Sequence, residues 1–501
     1  MNRETHLATA LAVGFAAVVG CTSIPSVGPD YKDPAFKEVD YQLPDAGQPT
    51  TNLTAGVEYR PAEAKDDTRV EISKDRLAQW WTRFDDSVLV SLIEGGVSNN
   101  VGYRMACKRL EQAEYERLGS VAGNLPHFSV GAGWTRRWSS LKTASGKRTY
   151  NTRNFALDGS WEFDIFGGNR RLIEAAVAEA EAAGWSVADA WVSLTTQIGQ
   201  QYINLRTVQE RIEVARTNLV LQSETYDILR SRLDSGIGDE LAVNQCAYVV
   251  EQTRARIPQL LAQEESIKNQ LTILAGEMPG SLHETLKPLK TRRDWLLAPQ
   301  KVSHLKLDMM RGRPDVKAAE RQLVAATAQI GVAKAAWYPR LFVTGTVGWQ
   351  NVGSTRLFAR DAFLASLGPS VSWPIFQGGA IYANVKATEA RMDEVSLAYE
   401  QALENAYGEV RTAYSAYSQQ YHRYQALKAA VKAASDAVTI SKDLYQNGLK
   451  DFNNVLDAQR SRLQLEEDFV LSRGQITQEL IALYRALGGG LAYERADDIE
   501  D

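Results

Sequence analysis

The side chains best able to do chemistry in this chain are three cysteines, five histidines and scattered carboxylates, and their spacing argues for anchoring and packing instead of catalysis. The histidines stand at positions 6, 127, 283, 304 and 422, and no two have the close spacing of metal ligands. The sequence holds no P-loop-type glycine loop for phosphate and no G-x-S-x-G nucleophile elbow. No catalytic residue, metal ligand or cofactor is therefore assigned. Cys107 and Cys246 lie far apart in helical stretches; spacing leaves a disulfide open, but each reads as a small buried apolar side chain. Asp457, in Val455-Leu456-Asp457-Ala458-Gln459-Arg460, reads by itself as a solvated helical carboxylate paired with Arg460 or Arg462.

Cys21 is placed differently. Arg3 and His6 open the chain, Leu7 to Val19 is a small-residue apolar run, and Val18-Val19-Gly20 precedes the cysteine. That run is too short to cross a bilayer as a helix and has the order of a secretory signal over 1–20. Val-Val-Gly-Cys resembles a bacterial lipobox, whose cysteine is fatty-acylated and becomes the mature N-terminus, although leucine is more usual at Val18. An ordinary signal with an incidental cysteine is the alternative. The place of Cys21 at the end of the run, followed by Thr22, favours lipidation, with Thr22 suiting outer-membrane sorting. Residues 21–79 then form a lipidated, extended segment rich in Pro, Asp, Gly and Thr, which can be ordered only by lying against something else.

Four stretches alternate with period two. In 126–138, Phe128, Val130, Ala132, Trp134 and Trp138 share one face with Arg136 as its only break; in 154–163, Phe155, Leu157, Gly159, Trp161 and Phe163 do. Leu341, Val343, Val347 and Trp349 repeat the pattern in 341–349, as do Phe363, Ala365, Leu367, Val371 and Trp373 in 363–373. Aromatic residues toward the strand ends, a second face of small or polar residues, and lengths of about 10 residues suit a tilted membrane crossing. Pro369 predicts a bulge or kink in the last strand. After the N-terminus no apolar run is long enough for a spanning helix, so a membrane crossing must use strands. Four strands are too few for a single-chain barrel, which starts near 8, so the chain must oligomerise.

The elements that hold these strands occur twice. Trp161 recurs as Trp373 and Gly236 as Gly448, both at an offset of 212, and Pro126 recurs as Pro339 at 213. The duplication divides the chain into a first repeat, 80–290, a second, 291–490, and an acidic tail, 491–501. Leu205, Val208, Ile212, Ala215, Leu219, Gln222, Tyr226, Leu229 and Leu233 form a heptad seam, and the same seam returns from Tyr417 to Tyr445. Such helices lie against neighbours along their length; Arg170 to Leu233 would reach about 96 Å if continuously helical. A helical pattern also runs from Trp80 to Gly119. The long helices end in glycine turns, 234–239 and 446–451, where Asp239 and Asp451 are placed to cap the returning helices. Pro258 predicts a kink in the first of these. The net charge of −5 gives no reason to expect nucleic-acid binding.

Together, Cys21 with VGPDYKDP (27–34), Trp80 to Asn100, Trp161 with DIFGG, RPDVKAAERQLVAATAQIGVAKAAWYPRL (313–341), WPIFQGG (373–379), VLDAQR and YRALGGG resemble the outer membrane factor, or TolC-like, family. The likeness is to its lipoprotein branch serving resistance-nodulation-division efflux pumps, and it covers essentially the whole mature chain. It implies a mostly α fold with a membrane β-barrel: a homotrimer with four strands per protomer in a twelve-stranded barrel, continued by a long coiled-coil helical tunnel across the periplasm. It implies an outer-membrane lipoprotein of a Gram-negative bacterium, a passive exit duct for drugs or other small solutes in a tripartite pump. Partners would be outer-membrane lipid, an inner-membrane pump, and a periplasmic adaptor meeting the tips at Ser235, Gly236, Ile237, Asn447, Gly448 and Leu449. Asp457 matches the aspartate of the family's periplasmic gate. One turn earlier Asn453 stands where relatives often carry leucine, which puts an apolar lock in question. Two other readings remain: an exit duct for type I protein secretion, and a structural coiled-coil envelope lipoprotein, for which the four strands would have no purpose.

Overall fold

The computed structural model describes residues 26–32, 79–138, 149–289, 310–352 and 356–489. Cys21, most of 21–79, residues 139–148 and the tail 491–501 lie outside the described residues. The helices are α1 (Ser87–Asn99), α2 (Val101–Gly123), α3 (Gly168–Asp234), α4 (Glu240–Leu274), α5 (Pro314–Ala335), α6 (Ala380–Gln446) and α7 (Phe452–Ala486). The strands are β1 (His127–Trp138), β2 (Thr149–Phe163), β3 (Arg340–Val352) and β4 (Phe363–Ser372). The duplication is carried into the elements: α3 and α6 are 67 residues each, α4 and α7 are 35 each, and every boundary is shifted by 212. No described helix is long and apolar enough to cross a membrane.

The chain forms two compact units, and long helices contribute to both. The first unit holds the four strands, in one antiparallel sheet of order β1-β2-β3-β4. Its register joins like with like. Val130, Leu157, Val347 and Ala365 form one row across the sheet, while the neighbouring row on the opposite face is Ser129, Asp158, Thr346 and Ser366. Period-two alternation on each strand thus becomes one apolar and one polar face. Pro369 makes no bulge, because pairing runs one to one from Arg340 opposite Ser372 to Trp349 opposite Phe363. It sits on β4, an outer strand of this sheet, where a missing N–H can face away from the ladder.

Two indoles tie the strands to the turns that follow the preceding helices. Trp161 Nε1 donates to the Asn124 carbonyl and Trp373 Nε1 to the Trp337 carbonyl, each at 3.1 Å. The described piece of the N-terminal segment lies in this unit. The Val27 N–H donates to the Phe166 carbonyl at 3.0 Å, and Arg171 holds Asp30 at 2.5 Å. Gly28, at φ +110°, presses on Gly331 so closely that a Cβ at Gly28 would stand 2.5 Å from the Gly331 Cα. Only glycine fits there.

The second unit is helical. The seam residues Leu205, Val208, Ile212, Ala215, Tyr417 and Tyr424 are buried, together with Trp80, Leu89, Ile93, Leu271, Ile476, Leu480 and Tyr484. Trp80 begins a short 3-10 turn, Trp80–Phe84, and its ring stacks on Tyr484 at 5.9 Å. The single helix expected from Trp80 to Gly119 is broken at Asn100. There the Asn100 side chain accepts from the Tyr103 N–H and donates to the Leu274 carbonyl, each at 3.0 Å, which starts α2 and satisfies the end of α4. α4 contains Pro258 within one continuous helix.

Candidate functional site

The polar sheet face is lined mainly by small, hydroxylated and charged side chains, with Phe342 and Leu364 as apolar exceptions. Thr346 Oγ1 donates to Asp158 Oδ1 at 2.7 Å, and Arg340 pairs with Glu162 lower on the same face. This surface would keep water, whereas the opposite face exposes Phe128, Val130, Trp134, Leu157, Val347, Leu367 and Val371. A broad apolar sheet face open to the surroundings requires lipid or another protein to cover it.

In the second unit, the two glycine turns have one geometry. The Ile237 N–H donates to the Arg232 carbonyl and the Gly236 N–H to the Leu233 carbonyl; Leu449 and Gly448 repeat this with Leu444 and Tyr445. These paired bonds close α3 and α6 as Schellman caps, with Gly236 at φ +77° and Gly448 at φ +69°. Asp239 caps α4, accepting from the Leu241 N–H at 2.9 Å. Asp451 does not cap α7 with its side chain; its carbonyl receives the Asn454 N–H and side-chain amide instead. Ser235 is bound back to the Ser231 carbonyl and Asn447 to the Asp443 carbonyl, so both hydrogen-bond within their own turns. Ile237 and Leu449 are 79% and 68% exposed, and nothing stands near either tip glycine. The tips therefore offer an apolar side chain beside accessible backbone.

Behind the tips, Leu229, Val243, Cys246, Val249, Phe452, Val455 and Leu456 form a small core. Among the described residues Cys246 Sγ reaches the Gln222 carbonyl, at 3.8 Å, and burial pushes its thiol up to about 11, which disfavours the nucleophilic thiolate. Cys246 and Cys107 are both free thiols. From this core Asn453 and Asp457 point outward, one turn apart on α7. Asp457 is 77% exposed and meets Arg460 only at 3.8 Å. Arg460 lies over the Tyr248 ring at 4.9 Å, and Arg462 is engaged with Glu466 at 2.8 Å. Among the described residues, the ion pair that Asp457 makes is thus long and open to water, of the kind that contributes little.

The model of the outer membrane efflux protein family matches residues 97–277 and 308–489, one stretch in each repeat and more than half of the chain. The chain belongs to the outer membrane efflux protein family. It is 28% identical to outer membrane protein OprJ of Pseudomonas aeruginosa, across 82% of this chain and 86% of that one. It is 28% identical to the toluene efflux pump outer membrane protein TtgF of Pseudomonas putida, across 97% of each. Among solved structures, the outer-membrane channel OprN is similar with a TM-score of 0.80 at 30% identity, covering 92% of this chain and 99% of that one. This outer membrane efflux protein is accordingly a passive channel of the outer membrane and not an enzyme.

In this outer membrane efflux protein the role of the RPD motif rests on tertiary contacts that the sequence does not display. Arg313 is buried. It grips Asp315 through two bonds of 3.0 and 2.8 Å, Glu409 at 2.7 Å and the Ala486 carbonyl at 2.8 Å. It thereby starts α5 and satisfies the C-terminal end of α7. Asp189, facing Asp315, Arg485, Arg313 and Glu409, is held above the usual carboxylate range, chiefly by burial. The signal for this role was Arg-Pro-Asp with proline at the first helical position, but the partners on α6 and α7 lie far away in sequence.

Proposed function

We propose that the protein is the exit duct of a tripartite efflux pump, a homotrimer that carries drugs or other small solutes passively through the outer membrane. The carrying observation is the four-stranded sheet with one apolar and one polar face and with β1 and β4 as its outer strands. Three copies joined β4 to β1 give a closed twelve-stranded barrel, with the Ser129, Asp158, Thr346 and Ser366 row toward water and the aromatic face toward lipid. α3, α4, α6 and α7 continue the duct into the periplasm. Ser235, Gly236, Ile237, Asn447, Gly448 and Leu449 meet a periplasmic adaptor protein, and an inner-membrane resistance-nodulation-division pump supplies the energy. Cys21 is lipidated and anchors the N-terminus in the outer membrane.

Asp457 forms the periplasmic gate. Three copies around the trimer axis repel one another by roughly 0.6 kcal/mol per pair at about 7 Å in water, and a ring of carboxylates draws cations. Asn453, one turn nearer the tip, lines the same constriction without an apolar lock. The relatives' names, several of which specify efflux pumps, support this reading over protein secretion.

Reconstitution in planar bilayers tests it. The purified protein should migrate as a heat-modifiable trimer and give single-channel currents, and Asp457→Ala should raise conductance and lower cation selectivity. A monomer without conductance under gate-opening conditions would remove the channel reading. Wild-type conductance and selectivity in Asp457→Ala would return Asp457 to its pairing with Arg460.

A further inference from the structure

Arg136 is the single break in the apolar face of β1, and the channel reading gives it no task. The sheet register gives it company. Beyond Ala132, Phe155, Trp349 and Phe363, which form one row across the apolar face, the next row is Trp134, Arg153 and Asn351, and the row after that pairs Arg136 with Asn151. Arg136 and Arg153 are therefore diagonal neighbours on the lipid side, close enough for two guanidinium groups to serve one anion. Both are exposed, and neither has a carboxylate partner among the described residues. Arg136 lies over the Trp138 ring at 5.3 Å, and Trp134 and Trp138 are themselves exposed. The aromatic row is reinforced by Phe358, whose ring meets Trp349 at 5.5 Å and Phe155 at 5.8 Å. The segment carrying Phe358 also carries the exposed Arg356 and Arg360. In sequence, residues 139–148 contain no carboxylate, although the whole chain is acidic.

The height of the pair on the strand is informative. Trp161, with Trp373, marks the helix-side aromatic edge of the sheet. From Trp161 to Arg153 the chain climbs about 26 Å along β2, or roughly 20 Å across the membrane at a tilt near 40°. The arginines thus stand just past the second aromatic edge, where hydrocarbon gives way to headgroups. An arginine there, on the lipid side and without an internal anion, is stabilised by an external one.

We infer that Arg136 and Arg153, framed by Trp134 and Trp138, form a binding site for phosphate-bearing lipid headgroups of the outward-facing leaflet. The site rests on the barrel orientation proposed above, with the strand hairpins outside the cell. One such site per protomer would ring the barrel and fix its depth in the membrane.

Binding of lipid A to the full-length protein in non-ionic detergent provides the test. Bisphosphorylated lipid A should bind at least tenfold more tightly than its dephosphorylated form, and the advantage should shrink with salt. Arg136→Ala with Arg153→Ala should abolish the preference, and the corresponding double lysine variant should keep most of it. Arg137→Ala, one residue away but on the polar face, should bind as wild type. Equal binding of the two lipids, wild-type binding by the double alanine variant, or loss in Arg137→Ala would each overturn the site. Displacement of lipid A by an equal concentration of inorganic phosphate would also overturn it, by marking a free-anion site. The orientation is read separately by labelling Arg360→Cys on intact cells with a membrane-impermeant thiol reagent. Labelling supports the outward placement. Its absence would remove the orientation, and the leaflet assignment with it, whatever the lipid affinities in detergent.

Discussion

At the scale of single residues, backbone conformation and local hydrogen bonds decide most outcomes. Gly236 and Gly448 close their helices in the left-handed region, which a side chain enters at a cost of about 1–2 kcal/mol. Gly448→Val should therefore destabilise the second tip by roughly that amount, seen as faster hydrogen exchange at the end of α6, while leaving the β-sheet unchanged. His283 offers a pH test. Nδ1 lies 3.0 Å from the Gly280 carbonyl and Nε2 2.8 Å from Glu265, and these two contacts raise its pKa above the ordinary histidine value despite nearby Lys268. A raised folded-state pKa means that the contribution is complete below the unfolded value of about 6.5 and is lost as pH rises through the folded value. Exchange protection of the turn around 280–286 should thus fall as pH increases from near 6 toward 8. A flat profile, or protection matching wild type in His283→Gln at low pH, would show that the imidazole does not hold the turn.

At the scale of elements, the joins between helix and strand carry the prediction. Trp161 and Trp373 are repeat partners that bond to equivalent carbonyls, so each phenylalanine substitution keeps the ring bulk and removes one hydrogen bond. The loss should be about 1 kcal/mol per bond, with the two variants alike. Thermal unfolding of the two single variants and the double variant measures it, and near-additive shifts are expected from separate sites. Arg313 is a larger case. Arg313→Ala leaves Asp315, Glu409 and the Ala486 carbonyl without their shared cation, and about 3 kcal/mol of destabilisation should follow, moderated because both carboxylates keep some water. Arg313→Lys should recover only part of it, since an ammonium cannot repeat the two-point grip on Asp315. The Trp pair could be found in the sequence because duplication repeats it. The Arg313 cluster could not, because its partners are fixed only when α5, α6 and α7 meet.

At the scale of the whole molecule, the outer strands of the sheet matter most. Neighbouring residues of β1 point their N–H groups to opposite sides, so one of Gly131 and Ala132 donates toward β2 and the other toward the open edge. Proline at either position should abolish the heat-modifiable trimer, and the helical circular dichroism should persist. A trimer that survives both substitutions would argue against barrel closure through β1. Two halves in each of three protomers would place six similar helical hairpins around one axis. The halves differ at the tips and beyond them, where Gln245 answers Asp457, and these departures are where gate and partner specificity are expected.

The sequence alone determined what periodicity can encode: four alternating strands, the paired long helices with their buried seam, the duplication, and membership of a family of outer-membrane channels. Period and repeat are local or internal properties, written wherever one face must be apolar, and so they survive without coordinates. Only the tertiary structure decided what depends on distant partners. It paired Pro369 without a bulge, broke the first helix at Asn100 through the Leu274 carbonyl, withheld a side-chain cap from Asp451, and assembled the Arg313 cluster. It also brought Arg136 beside Arg153, since which arginines share a surface is settled by strand register and not by either strand's own sequence.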